Sequence, residues 1–511
     1  MFKQSTTDRQ LDLLSNFDNT LDEARRDILN DPDEWHNLFF KYITSAIDEG
    51  PYAILYHQNM GRPNAPIRIL VAMLILKEGF GWSDKALYQG LYFNLMIMKA
   101  LGLENLNDKV PAQSTYYLFK NLLYQHQISQ GVDLIGETFK QLTREKANIF
   151  GTFGDRIRMD SKLIGSNIAN CSRLQLVISC LQVFWKSLSD QQRKKLSQSR
   201  QDYLDELCKK KPNQIVYPLN ESEKSDMILK LGSLLLQLKQ FYDDSDSDHF
   251  HLLTRLLDDQ YEIDRQKVIL KKPSEVSANS LQSAHDSDAA YRNKNGQTVK
   301  GYSVNITETC NSTGPNLITD VQVEKATTSD NSFVTSAIEA TKEVVDRVKE
   351  VSLDGAYQDE ANRNFAEKNE VTLHFTGIQG PKGDFGFVSD ESGLKVYQKS
   401  TGSLLDLVEY KPGKYKTRLA SKTWRYFTHD QIESSLRRKA IEQLPPAIKN
   451  RRNNVEATLF QLCYYTRNNK TRYRGLYKTR SWAYCRSIWI NLVRVKNYLK
   501  SLSAPIDVAF S

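Results

Sequence analysis

Cysteine is scarce and unpatterned: six residues in a chain of 511, with no CxxC pair and no zinc-type spacing. That argues against a zinc module or a disulfide framework and fits reduced thiols in the cytosol. No window of about 20 apolar residues occurs, so no transmembrane helix is expected. Met1-Phe2-Lys3-Gln4-Ser5 lacks the basic-then-apolar order of a signal peptide. There is no convincing Ser/His or Cys/His pair and no Walker-type glycine loop, so neither a covalent enzyme nucleophile nor nucleotide hydrolysis is implied. The acidic run from Asp243 to Asp248 lacks the central glycine and terminal glutamate of a calcium loop and reads as an exposed acidic loop. No internal repeat of fixed period is present.

Positive charge is plentiful but concentrated. The chain carries a net charge of +8, yet residues 401–511 hold 22 Lys/Arg against 7 Asp/Glu, which leaves 47 against 54 for the rest. This basic stretch is interleaved with Trp424, Tyr426, Phe427, Tyr464, Tyr465, Tyr473, Tyr477, Trp482, Tyr484 and Trp489. Two readings fit: a solvated helical face over an aromatic core, or phosphate contacts combined with base stacking. The charge of the region as a whole favours nucleic acid.

At this length roughly three or four units are expected. Residues 1–150 read as helical. Pro66 opens an apolar helix over Ile67–Lys77, interrupted by Gly79 and Gly81, and Ser83 is placed to cap a helix over Asp84–Tyr92. Further helices are expected over Phe93–Leu101 and from Ala112 toward Gln127. Short helices with tight turns suit a helix-turn-helix DNA reader, and equally a plain bundle. Residues 165–273 keep a helical period, most clearly over Ile228–Tyr242, and Ser274–Asp286 reads as a linker. The period then changes to two over Gly301–Thr307 and Leu317–Val323, a hairpin around the turn chemistry of Cys310–Pro315. A helix over Asp330–Lys349, a strand over Val351–Leu353, a helix over Asn362–Asn369 and a strand over Val371–Thr376 follow.

Two of these strands end in aspartate. Arg156-Ile157-Arg158-Met159-Asp160 and Val351-Ser352-Leu353-Asp354 each run an apolar stretch into a carboxylate, and Gly355 allows a sharp turn after the second. The order is strand, long helical insertion, two strands, helix, strand, helix, strand. It matches a ribonuclease-H-like mixed sheet, in which the first and fourth strands are neighbours. Carboxylates converging at one place repel each other, and a divalent cation with oxygen ligands removes the conflict. A third carboxylate is expected from the basic region. Glu456 is favoured because Arg452, four residues earlier, would share its helix face; Glu433 and Glu442 compete.

Together these segments resemble bacterial insertion-sequence transposases of the DDE type. The resemblance is carried by Pro66-Ile67-Arg68-Ile69-Leu70, Trp82-Ser83-Asp84-Lys85-Ala86-Leu87, Gln113-Ser114-Thr115 and Arg158-Met159-Asp160-Ser161-Lys162. It continues through Ser287-Asp288-Ala289-Ala290-Tyr291, Lys300-Gly301-Tyr302, Asp354-Gly355-Ala356-Tyr357, Arg472-Tyr473-Arg474-Gly475 and Asn491-Leu492-Val493-Arg494. Arg452 matches the arginine before the family's glutamate, whereas Lys449 and Cys463 stand where some relatives carry tyrosine and lysine. The resemblance implies an α+β multidomain protein: a helical DNA-binding domain over 1–150, a ribonuclease-H-like core from 151–164 and 285–400, a mainly helical insertion over 165–284, and a basic region over 401–511 completing the core. It implies that Asp160, Asp354 and Glu456 hold Mg2+, with Mn2+ as a substitute, and perform DNA cleavage and strand transfer. Arg452, Lys294, Lys300, Arg472 and Arg474 are the expected DNA contacts, and Asp288 is an accessory carboxylate or a turn cap. The implied partners are double-stranded DNA, as terminal inverted repeats and target, and a second copy of the chain, in the bacterial cytoplasm at the nucleoid. An inactive, co-opted DNA-binding descendant and a nuclease without strand transfer are the alternatives.

Overall fold

A computed structural model describes residues 1–4, 16–57, 59–242, 247–294, 296–311, 314–377, 383–390, 393–419 and 421–503. Most of the acidic run expected over Asp243–Asp248 lies outside these residues, as do Ser312 and Thr313 of the expected turn. The architecture is α+β. Its centre is a mixed sheet of β1 (Arg156–Gly165), β2 (Ala290–Lys294), β3 (Gln297–Thr309), β4 (Ile318–Lys325), β5 (Glu350–Leu353) and β6 (Thr372–Phe375). The long β3 pairs antiparallel with β2 over its first part, then with β1 along one edge and β4 along the other. On its other side β1 pairs parallel with β5, which pairs parallel with β6. The first and fourth strands of the expected order are therefore neighbours, as the sequence predicts.

Helices cover both faces of this sheet, and alternation along the strands decides which side chains they meet. On one face Ile157, Met159, Val351 and Leu353 pack with Ala337 and Ile338 of α3 (Val334–Val345) and Ala366 of α4 (Glu360–Lys368). On the other, Tyr302, Val304, Ile306, Val321 and Val323 join a buried cluster that also contains α1 (Ile67–Phe80), α2 (Leu134–Phe150) and the final helix, α7 (Leu476–Ser503). The helices described between Phe17 and Phe150 thus share a continuous core with the sheet and with α7.

The expected break at Gly79 does not occur: α1 runs through it and stops at Gly81, whose φ of 65° provides the left-handed C-cap. Gly79 serves close packing instead, since a Cβ there would collide with the Trp489 indole of α7. Beside it, the buried Arg486 of α7 donates to the carbonyls of Glu78 (3.1 Å) and Gly79 (2.8 Å), and through Nε to the Leu462 carbonyl (3.2 Å). One guanidinium thereby satisfies carbonyls in the last turns of α1 and of α6 (Asn453–Leu462), groups that a helix leaves without partners of its own. As predicted, Ser83 caps the next helix, Asp84–Phe93, by accepting from the Ala86 amide.

The insertion after β1 is helical with its own buried cluster, from Leu174 on its first helix to Leu281. It also contains a β-hairpin, Tyr261–Asp264 with Lys267–Leu270, whose turn places Arg265 and Gln266 at positive φ. A second β-rich unit follows β6; its strands from Leu404 onward fall in the basic stretch, where one reading of the sequence expects a helical face. Strands β7 (Phe385–Asp390), β8 (Gly393–Gln398) and β9 (Leu404–Asp406) form one antiparallel sheet. Strands β10 (Val408–Lys411), β11 (Lys414–Arg418) and β12 (Trp424–Thr428) form another. Both lean on α5 (His429–Gln443) around Phe387, Val396 and Ile432. Among the described residues no helix is long and apolar enough to cross a membrane.

Candidate active site at the ends of the central strands

Register places the two aspartates side by side. Arg158 of β1 is level with Ser352 of β5, so Asp160 and Asp354, each two residues further on, project from the same face of adjacent parallel strands. Asp160 is still within β1, opposite Ile306 of β3. Asp354 lies just past β5 and accepts from the Gly355 amide at 2.6 Å, opening a single turn over Gly355–Tyr357. Gly355 makes this turn without entering the left-handed region. Tyr357, fully buried, fixes the turn by donating to Asn305 Oδ1 of β3 at 2.7 Å. The tyrosine three residues after the aspartate thus fastens the strand end to the centre of the sheet.

Glu456 reaches the same place from α6, which packs on β1 with Val455, Thr458, Leu459 and Leu462 buried. The link is Arg452, one turn earlier on the Glu456 face. Its Nη2 lies 3.1 Å from Asp160 Oδ2, 3.3 Å from Glu456 Oε1 and 3.5 Å from Asp354 Oδ2. Three carboxylates from three segments converge on one nitrogen. They grade from buried to open: the side chains are 12%, 41% and 62% exposed for Asp160, Asp354 and Glu456. Burial pushes the Asp160 carboxyl above its usual range, and the neighbouring Asp354 charge adds to this, against the pull of Arg452 and the Ser161 amide. For Arg452, burial opposes the charge, but the carboxylates outweigh it and hold the guanidinium above its ordinary value. The Arg452 Nε is buried without an acceptor among the described residues.

Beneath this cluster sits a buried ionic clamp that sequence reasoning missed. Glu308 of β3, fully buried, accepts from Arg158 Nε at 2.5 Å, Arg494 Nη2 at 2.7 Å and Thr458 Oγ1 at 2.7 Å. Arg158 also donates to the Arg451 carbonyl at 3.0 Å. β1, β3, α6 and α7 are thereby fastened immediately next to Asp160 and Glu456. A glutamate ending an apolar strand, Ile306-Thr307-Glu308, was the available signal.

The other residues singled out from the sequence lie elsewhere. Glu433 pairs with His429 and Arg437 along α5, and the Glu442 carbonyl accepts from Lys449. Asp288 accepts from the Leu476 amide at 3.0 Å, so it caps α7, a structural role. Lys300, Arg472 and Arg474 gather at the far end of β1, where Gly165 bridges Lys470 and pairs with Gly301. That is five residues, about 17 Å, from Asp160. Arg472 donates to the Trp82 carbonyl and Arg474 to that of Asn167, at 2.7 Å. Lys294 is exposed near the tip of the β2–β3 hairpin.

Among the described residues no group of three or more His, Cys, Asp or Glu side chains stands close enough to hold a metal ion as arranged. Arg452 Nη2 stands 3.1 to 3.5 Å from an oxygen of each carboxylate, whereas magnesium draws its ligands to about 2.1 Å. The donor set itself, hard carboxylate oxygens directed at a single positive charge, suits such an ion.

No curated protein matches the chain. Residues 27–122, from the helix Glu23–Asn30 through α1 into the helix Gln113–Gln130, match the family described as Transposase domain (DUF772), which supports a transposase-related function.

Proposed function

We propose that the protein is a DNA transposase of the DDE type, with a ribonuclease-H-like core and Asp160, Asp354 and Glu456 as its catalytic carboxylates. The observation that carries this reading is their convergence, from two adjacent parallel strands and one helix, on a single guanidinium nitrogen. The strand order and the transposase match over residues 27–122 support it.

Asp160, Asp354 and Glu456 would hold magnesium, or manganese in its place. When bound, the ion supplies charge neutralisation and an activated oxygen nucleophile for phosphodiester cleavage and end joining. Asp160 is the fixed member, held within β1 and largely buried. Asp354 is set by its strand end and the Tyr357 anchor. Glu456 is the most open and can adjust to substrate. Arg452, released from the carboxylates, is positioned to take a backbone phosphate with a bidentate guanidinium. The N-terminal helices would read terminal repeats, with Lys300, Arg472 and Arg474 at the far end of β1 and Lys294 at the β2–β3 hairpin contacting duplex phosphates. Paired ends require two copies of the chain.

The test is incubation with DNA carrying the ends that flank its coding sequence, with Mg2+, beside Asp160→Asn, Asp354→Asn and Glu456→Gln. Cleaved and joined products from the parent alone, with end binding retained by the variants, are expected. Cleavage that persists in Asp354→Asn would refute the site, binding without cleavage would identify a DNA-binding descendant, and cleavage without joining a nuclease.

A further inference from the structure

The outer face of the β10–β11–β12 sheet carries cations and aromatic rings along its centre, with the exposed Val408 level with Lys416. Tyr415 and Phe427 turn inward to the small core, and Thr417 is buried on that side. Alternation turns Lys414, Lys416 and Arg418 outward, level with Thr428, Tyr426 and Trp424 in turn. Trp424 is 46% exposed and Tyr426 59%. These are high values for side chains that usually bury their rings. The groups are also ordered against each other. Lys416 Nζ lies between two rings, 5.5 Å from the centre of Tyr410 and 4.8 Å from that of Trp424. Arg418 lies 6.0 Å from Trp424, and Tyr410 and Tyr426 meet edge to face at 5.5 Å. The acidic residue of these strands, Glu409, is level with inward-facing Tyr415 and accepts from the Gly413 amide.

We propose that this face binds single-stranded DNA, with Trp424, Tyr426 and Tyr410 stacking on unpaired bases and Lys416, Arg418 and Lys414 contacting the phosphates between them. A cation seated between two rings matches a strand in which a phosphate lies between two bases. A duplex offers its phosphates but not the faces of its bases, so the exposed rings require an unpaired strand. The single sign of charge provides the complementarity. The surface is also placed to serve the candidate site. Its sheet packs on α5, and α5 faces Leu373 and Phe375 of β6 across a groove, one strand away from β5 and Asp354. The inference rests on the DNA-transposase reading and adds a strand separated near the point of cutting.

The test uses the full chain and fluorescence anisotropy at fixed salt, with an oligothymidylate, an element-end duplex and anionic phosphatidylserine vesicles as probes. The parent is expected to bind oligothymidylate, and Trp424→Ala/Tyr426→Ala to bind it about tenfold or more weakly. The same variant should hold the duplex within about twofold, and Trp424→Phe/Tyr426→Phe should recover the loss, since phenyl rings still stack. Retained duplex binding shows that the alanine variant is folded. Unchanged oligothymidylate binding by that variant would overturn the proposal, as would equal losses on both DNAs or vesicle binding without oligothymidylate binding. Loss of end-duplex binding by the parent itself would instead count against the transposase reading.

Discussion

Arg452 Nη2 stands 3.1 Å from Asp160 Oδ2, nearer than to Asp354 or Glu456, although 292 residues separate the pair. The arginine lies among the three carboxylates, where the proposed function would seat a metal ion. Arg452→Gln is expected to bind Mn2+ roughly tenfold more tightly, about 1.4 kcal/mol, because the competing charge is gone. Calorimetric titration measures this, and an unchanged affinity would show that the guanidinium does not compete for the site. Grip on DNA should weaken in the same variant.

Glu308 offers a prediction about positioning. Its carboxylate is enclosed by Arg158, Arg494 and Thr458. Removing one member of a buried ion cluster leaves uncompensated charge, at about 3–5 kcal/mol. Glu308→Gln should lower stability by that order in urea titration, and amide exchange should rise first in α6, which carries Glu456. Faster exchange spread evenly over the chain would argue against a local clamp.

Asp320 of β4 sets a pH dependence away from the site. Burial pushes its carboxyl up to about 6, with the hydrogen bond from Gln322 acting in the opposite direction. The native state therefore holds this proton more tightly than the unfolded chain. The associated stability is present at low pH and is lost as pH rises through the window between about 4 and 6. Asp320→Asn should reduce that decline and be the more stable protein at neutral pH, by roughly 2–3 kcal/mol. Denaturant titrations of both proteins at several pH values test it, and parallel curves would contradict it.

Arg486 joins two helices far apart in sequence. Arg486→Met keeps the stem but removes the donors to Glu78, Gly79 and Leu462. The Glu78 carbonyl keeps the Gly81 amide, but leaving the buried Gly79 and Leu462 carbonyls without this donor should lower stability by about 2–3 kcal/mol. A thermal melt unaltered by this change would show that water replaces the guanidinium without cost.

The central strands and their carboxylates were legible because their signals are local: an apolar run of period two, then an aspartate. The neighbourhood of β1 and β5, once the order of elements was read, put Asp160 and Asp354 at one level. Glu456 was reachable through its four-residue spacing from Arg452. Other features were hidden for physical reasons. Strands β7 to β12 are three to six residues long and partly solvent-facing, so their alternation never accumulates into a clear period. The break expected at Gly79 failed because tertiary packing against Trp489 overrides helix propensity. Glu308 carried only its place near the end of a strand as a local sign, since a buried ion cluster is defined by residues from four distant segments.

The merging of the first and last helices into one core has a consequence for synthesis. α1 and α2 leave the ribosome early, but the helix that covers them, α7, begins only at Leu476. At roughly 5–20 residues per second, the interval is of the order of half a minute. Throughout it the early helices lack their lid, and α6 has yet to supply Glu456. The shared core can therefore close only late in synthesis, once the residues of α7 have been made.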